Sequence, residues 1–236
     1  MRLLIAILLV ATSLGAHAQG ACSSDGQAEP IALFERFISA DCEACWGDAT
    51  TPAPSATARA MVLDWIVPGK LGDDAPLSAA ATTDALARLQ TLGRTAPGTT
   101  DVFTEPVEQP VRAQLRVAHG LPFNDYLGTG ISLAPARTTR QHQALVAPLV
   151  FRLLLVEAVP ASTDGTAVPR YIVRNMLEGI WNQRDLKPGT KSQPPQWMET
   201  RSMRVPDGAQ AERLRVVGWV QDAKGRVVAA AQSVCR

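Results

Sequence analysis

The sequence lacks three features that would assign it quickly to a functional class. Charge is balanced, with 23 Lys and Arg against 22 Asp and Glu, so nothing electrostatic favours nucleic acid or an anionic membrane as a partner. No stretch reaches the roughly 18 uninterrupted apolar residues of a membrane-spanning helix. Histidine is scarce, and neither His119 nor His142 has another His or Cys at ligand spacing. We therefore predict no metal and no other cofactor.

The first 20 residues, "MRLLIAILLVATSLGAHAQG", contain one arginine, a short apolar run and a small-x-small triplet. This pattern predicts a secretory signal peptide over residues 1–18, with cleavage after Ala18. Cleavage removes Arg2 and leaves 22 basic and 22 acidic residues. The alternative is a lipoprotein attached through Cys22, although Gln19 stands where a lipobox prefers Leu. Either way, we expect a periplasmic or secreted protein.

Four cysteines remain after cleavage, and an even number in an exported chain predicts disulfides. Cys22 and Cys235 lie near the two ends of the mature chain, and domain termini often lie close together. A bridge between them is the better candidate for a structural disulfide, which would leave Cys42 and Cys45 for chemistry. Three pairings are open from sequence alone.

Hydrophobic patterns predict a mixed α/β first half and an antiparallel β second half. In the first half we expect strands over residues 31–38 and 59–67 and a helix over residues 79–92 that ends at Gly93. After residue 110 the apolar and polar residues alternate, which is typical of strands. The predicted strand segments there are residues 111–118, 147–159, 170–181, 196–205 and 212–232, the last with a hairpin at Asp222–Gly225.

The segment "DCEACWGD", residues 41–48, is the strongest candidate site. Thiol chemistry needs an exposed sulfur at a helix start, and Asp41 is placed to cap a short helix after Cys42. Two details oppose a strongly oxidising pair. Glu43 raises the pKa of a neighbouring thiol, and Pro52 and Pro54 limit the length of the helix. Thiol exchange, a structural disulfide and metal binding by two thiolates are the three hypotheses for this pair.

The segment "IALFERFISADCEACWGD" resembles "VELFTSQGCSSCPPAD", which marks a family of exported bacterial thioredoxin-like proteins of unknown function. The residues in register are Leu33, Phe34, Ser39, Cys42, Cys45 and Asp48. Further along, "VLDWIVPGKLGDD" and "TTDVFTEPV" are similar to later family segments in the same order. The resemblance covers most of the mature chain.

This resemblance implies a thioredoxin-like α/β part over residues 19–110 and a β-rich, sandwich-like part over residues 111–236. It implies Cys42 as the attacking sulfur and Cys45 as the resolving sulfur. It also implies a proline facing the pair, for which Pro106 and Pro122 compete. This sequence departs from the family pattern at two positions. Glu43 stands where the family has a small polar residue, and Glu105 separates Thr104 from Pro106, which are adjacent in the family.

Two functions follow as hypotheses. The first is thiol–disulfide exchange through Cys42 and Cys45 with a protein thiol or disulfide as partner. The second is a non-enzymatic binding or scaffold protein in which both disulfides are structural. The reduction potential of the Cys42–Cys45 pair distinguishes them.

Overall fold

A computed structural model describes residues 22–55, 57–108, 113–135 and 145–235. The predicted signal peptide and His142 lie outside these residues. The described chain contains two α-helices, α1 (Glu43–Gly47) and α2 (Thr83–Thr91). Its strands are β1 (Cys22–Ser23), β2 (Ala32–Ser39), β3 (Ala60–Val67), β4 (Thr100–Pro106), β5 (Ala113–Phe123), β6 (Tyr126–Pro135), β7 (Leu149–Val159), β8 (Arg170–Trp181), β9 (Trp197–Arg204), β10 (Leu214–Gln221) and β11 (Val227–Gln232).

The strands form two sheets. One has four antiparallel strands in the order β1-β5-β6-β9, and the other has seven in the order β11-β10-β7-β8-β3-β2-β4. The larger sheet is mixed, because β2 and β8 each pair with β3 in parallel while the other neighbours are antiparallel. Strands from both sides of residue 110 therefore share one sheet. Within the described residues, no helix is long and apolar enough to cross a membrane.

The predicted fold class was wrong. Strands account for 48% of the described residues and helices for 13%, and the two sheets form a sandwich-like β fold rather than an α/β thioredoxin-like domain with a β-rich addition. The local patterns on which the prediction depended are present, since β2, β3 and α2 lie where they were expected. The error concerns long-range pairing: β3 joins β8 of the second half, so the first half does not form a separate sheet.

The strands predicted after residue 110 are confirmed as β5, β7, β8, β9, β10 and β11. The hairpin between β10 and β11 is also present. The backbone N–H of Asp222 donates to the carbonyl of Arg226 across the turn. Gly225 has a φ of 79°, a conformation that favours glycine. Strand β6 was not predicted, because Gly128 and Gly130 interrupt its apolar pattern.

Three apolar clusters cover the two faces of the seven-stranded sheet. The largest lies between the sheets and includes Val117, Ile131 and Leu153. The second lies under α2 on the other face. The third surrounds α1, where Trp46 packs with Ile38, Ile66 and Ile172. Because successive strand residues point to opposite faces, α1 and the four-stranded sheet share one face of the larger sheet and α2 occupies the other.

A buried ion pair joins α2 to the sheet. Arg88 donates from Nε and Nη2 to the two carboxylate oxygens of Glu35, at 2.9 and 2.5 Å, and both side chains are fully buried. Trp65 donates its ring N–H to the same carboxylate at 2.9 Å. The guanidinium of Arg88 also lies 5.2 Å from the ring of Trp219. Glu35 depends on these donors for its charge to be tolerated inside the protein.

We predict that Arg88→Met lowers the free energy of unfolding by about 3–5 kcal/mol, because it leaves the Glu35 carboxylate buried without its partner. Urea unfolding followed by tryptophan fluorescence measures this change. Arg94→Met is the matched control, since it breaks a partly exposed pair with Asp101 and is expected to cost about 0–1 kcal/mol. Equal losses in the two variants would contradict the assignment.

Candidate functional site

Cys42 and Cys45 form a disulfide just beyond the end of β2, with their Cα atoms 5.3 Å apart. Cys42 is the N-cap residue of α1, and its Sγ accepts a hydrogen bond from the backbone N–H of Cys45 at 3.3 Å. Both cysteines are partly exposed, and Glu43 between them points into solvent. The sulfur pair is therefore accessible to a second molecule.

Asp41 has a different role from the one predicted. Its carboxylate accepts hydrogen bonds from the backbone N–H groups of Lys70, at 2.7 Å, and Leu71, at 3.2 Å. A Cβ atom on Gly69 would lie 2.1 Å from Asp41 Oδ1, so the loop after β3 approaches Asp41 closely only because residue 69 is glycine. Asp41 therefore holds this loop beside the cysteine pair, while Cys42 itself occupies the cap position.

Arg170 holds the other end of α1. Its Nη2 donates to the carbonyl oxygens of Cys45, at 3.0 Å, and Trp46, at 2.7 Å, which the short helix leaves without intrahelical donors. The same nitrogen donates to the hydroxyl of Thr51 at 3.0 Å. The guanidinium also lies 5.2 Å from the ring of Trp46, whose ring N–H donates to the carbonyl of Asp164. The indole is thus fixed against residues 164–170.

A fully buried carboxylate on β3 stabilises the position of Arg170. Asp64 accepts two hydrogen bonds from Arg36, both at 2.7 Å, and one from the backbone N–H of Tyr171 at 2.6 Å. Oδ1 of Asp64 also lies 3.5 Å from Nη1 of Arg170. Burial lowers the pKa of Arg170 below its usual value, and the Asp64 carboxylate opposes this shift. The charge of Asp48 also acts on Arg170, so the two guanidinium groups of Arg36 and Arg170 are balanced by the carboxylates of Asp64 and Asp48.

A pocket of about 290 Å³ opens beside this network. Its wall includes Cys45, Arg36 and Arg170, with Thr99 and Thr100 at the start of β4. Asp48 lies at the exposed rim, where the backbone N–H and the hydroxyl of Thr50 hold the pKa of its carboxyl below the usual value. The pocket wall therefore combines Cys45 with two arginines, the carboxylates of Asp48 and Asp101, and polar groups from a neighbouring strand.

Neither proline expected to face the cysteine pair lies in the wall of this pocket. Pro106 pairs with Ala32 at the opposite end of β2, roughly 25 Å along the strand from Cys42. Pro122 lies in β5 of the four-stranded sheet, opposite Leu127. The cis peptide bond in the described residues is between Ala147 and Pro148. Thr99 and Thr100 occupy the place assigned to a proline, and no motif in the sequence marks them.

The second disulfide joins Cys22 to Cys235, with the Cα atoms 4.1 Å apart. Because the sulfur of Cys22 is in this bond, it is not free to carry a lipid in the same molecule. Cys22 lies directly opposite His119 in the pairing of β1 with β5. Burial lowers the pKa of His119, while the carbonyls of Gly120 and Leu214 raise it and the charge of Arg215 lowers it further. Sequence spacing did not indicate this contact, since about 100 residues separate His119 from either cysteine.

Comparison with known proteins gives no family. No family model matches the chain, and no curated protein matches it. Among solved structures, the chain is similar to a domain of the outer membrane lipoprotein Omp28 from Porphyromonas gingivalis, with 11% sequence identity and a TM-score of 0.34. The match covers 55% of this chain and 89% of that one. We draw no argument from a likeness at this level.

We predict that Arg170→Met lowers the free energy of unfolding by about 1–3 kcal/mol, because the carbonyls of Cys45 and Trp46 lose a charged donor. Amide hydrogen exchange at residues 42–51 should accelerate more than elsewhere in the protein, since α1 has few other contacts that hold its C-terminal end.

Arg226→Met is the control for this variant. Arg226 forms a partly exposed pair with Asp222 in the β10–β11 turn and makes no hydrogen bond to α1. Its loss should leave exchange at residues 42–51 unchanged. The same exchange pattern in both variants would contradict the role given to Arg170.

Proposed function

We propose that this protein performs thiol–disulfide exchange through Cys42 and Cys45 with a protein thiol partner in an oxidising compartment. The observation that carries the proposal is the position of Cys45 in a pocket wall shared with the buried guanidinium groups of Arg36 and Arg170. Nearby positive charge stabilises a thiolate, which is the attacking and leaving form of cysteine. The two disulfides themselves fit an exported protein, because disulfides persist mainly in oxidising compartments.

The exchange begins from the disulfide form. A partner thiolate attacks Sγ of Cys42, the bond between Cys42 and Cys45 breaks, and Cys45 leaves as a thiolate on the side that Arg36 and Arg170 line. A second thiolate of the partner then attacks the partner sulfur of the mixed disulfide and releases Cys42. The partner gains a disulfide, and the protein becomes a dithiol. In the reverse direction Cys42 attacks a partner disulfide and Cys45 resolves the intermediate.

The geometry favours Cys42 as the sulfur that exchanges with the partner. Cys45 packs partly against the apolar cluster around α1, and the Arg170 side chain holds its carbonyl. The backbone N–H of Cys45 points to Cys42 Sγ and offers a hydrogen bond to a thiolate there. Residues 1–18 would supply the export signal.

The test is the equilibrium reduction potential of the Cys42–Cys45 pair, measured against a glutathione or dithiothreitol series by alkylation and mass mapping. We expect a value between about −120 and −270 mV, the range of working exchange proteins, with Cys42 alkylated first. Arg170→Met should lower the potential, by about 30 mV for each tenfold loss of thiolate stabilisation in the reduced form. The same measurement on the Cys22→Ser/Cys235→Ser variant, which lacks the second disulfide, shows which signal belongs to Cys42–Cys45.

Arg226→Met is again the control, and its potential should equal that of the unmodified protein. The rival function, a binding or scaffold protein with purely structural disulfides, predicts a different result. In that case the pair lies below about −300 mV and resists reduction until the protein unfolds. Such a value would end the exchange proposal.

A further inference from the structure

The Cys22–Cys235 disulfide and His119 beside it form a set of potential metal ligands that the exchange chemistry does not use. Ligand atoms of Cys22, His119 and Cys235 all lie within 4.8 Å of one another. Cys22 is 5% exposed and His119 is 6% exposed, so two of the three are enclosed between β1, β5 and the chain end. Two sulfurs and an imidazole within this distance are the donor set of a thiolate metal site.

The histidine is prepared to act as a ligand. Its Nδ1 lies 2.8 Å from the carbonyl oxygen of Gly120, and a carbonyl only accepts, so Nδ1 carries the proton in this contact. Nε2 then has a free lone pair. That atom is buried and makes no hydrogen bond, although the Leu214 carbonyl lies near the ring. A backbone carbonyl on one ring nitrogen and a metal on the other is the usual environment of a metal-binding histidine.

The sulfurs cannot serve as thiolate ligands while they are bonded to each other. A dithiol reductant can break the bond by attack on Cys235, the sulfur nearer the surface, with Cys22 as the leaving group. The reductant closes to its own disulfide and two cysteine thiols remain. A divalent ion that binds them releases two protons. The disulfide and the metal complex are therefore alternative states of the same three residues.

We propose that reduction of the Cys22–Cys235 disulfide creates a site for a thiophilic metal ion, with Cys22, Cys235 and His119 as its three protein ligands. Zn²⁺ fits this donor set, with a fourth position left to water. The ion holds the first strand against the end of the chain when the covalent bond is absent. This inference is independent of the exchange reaction at Cys42 and Cys45.

The experiment uses the Cys42→Ser/Cys45→Ser variant, so that the other cysteine pair cannot bind metal. The reduced protein is titrated with Zn²⁺ under anaerobic conditions against a chromophoric chelator, and the oxidised protein is the reference. We expect one Zn²⁺ per reduced chain and none per oxidised chain. Bound Zn²⁺ should protect Cys22 and Cys235 from alkylation and slow the return of their disulfide.

His119→Gln should weaken Zn²⁺ binding by roughly tenfold or more in the reduced state. Its folding is checked by near-ultraviolet circular dichroism in the oxidised state, and His119→Asn serves if the first variant does not fold. Absence of binding by the reduced protein would overturn the proposal. Binding that is as tight without His119 as with it would also overturn it, because two thiolates alone would then hold the ion.

Discussion

The buried charge of Asp64 is the constraint on which the sheet and the candidate site at Cys42 and Cys45 depend. The side chain is fully enclosed in the middle of the seven-stranded sheet, where a carboxylate without partners is prohibitively unfavourable. Strand β3 meets β8 at a single register pair, Asp64 opposite Ile172, and the carboxylate takes the N–H of Tyr171 as well. Arg36 and Arg170 reach it from β2 and β8. Asp64 therefore has two roles. It links β3 to β8 through polar contacts, and its buried charge requires the two guanidinium groups of Arg36 and Arg170.

The candidate site follows from this network by geometry. A guanidinium has five donors, and Asp64 and Thr166 occupy only part of those of Arg170. The remaining donors reach the carbonyls at the end of α1, so a helix of five residues becomes attached to the sheet beneath it. A helix this short has little stability of its own. The cysteine pair keeps a defined position because an arginine fixed elsewhere holds the helix that carries it.

Local patterns in the sequence predicted local structure well and long-range structure poorly. Alternating apolar residues correctly indicated most strands, because such periodicity reflects which side of a strand is buried. Leu86, Leu89 and Leu92 indicated α2, although Leu86 is exposed and Ala85, Arg88 and Leu89 form its buried side. The same patterns do not indicate which strands pair. Nothing in "VLDWIV" shows that Asp64 faces two arginines, one of them 106 positions later, and nothing near His119 points to the two ends of the chain. The cysteine pair was found because both of its members lie within one motif.

The two disulfides are chemically alike but close very different loops, and this difference separates their energetics. Cys42 and Cys45 are 3 positions apart, whereas Cys22 and Cys235 are 213 apart. In the chain-entropy model the stabilisation from a crosslink grows with the logarithm of loop length, to about 5 kcal/mol for a loop of more than 100 residues. Opening the local pair therefore releases little chain freedom, so loop entropy contributes little to its redox equilibrium. Opening the long loop frees both chain ends, and any ligand that joins Cys22 to Cys235 again recovers part of that stability.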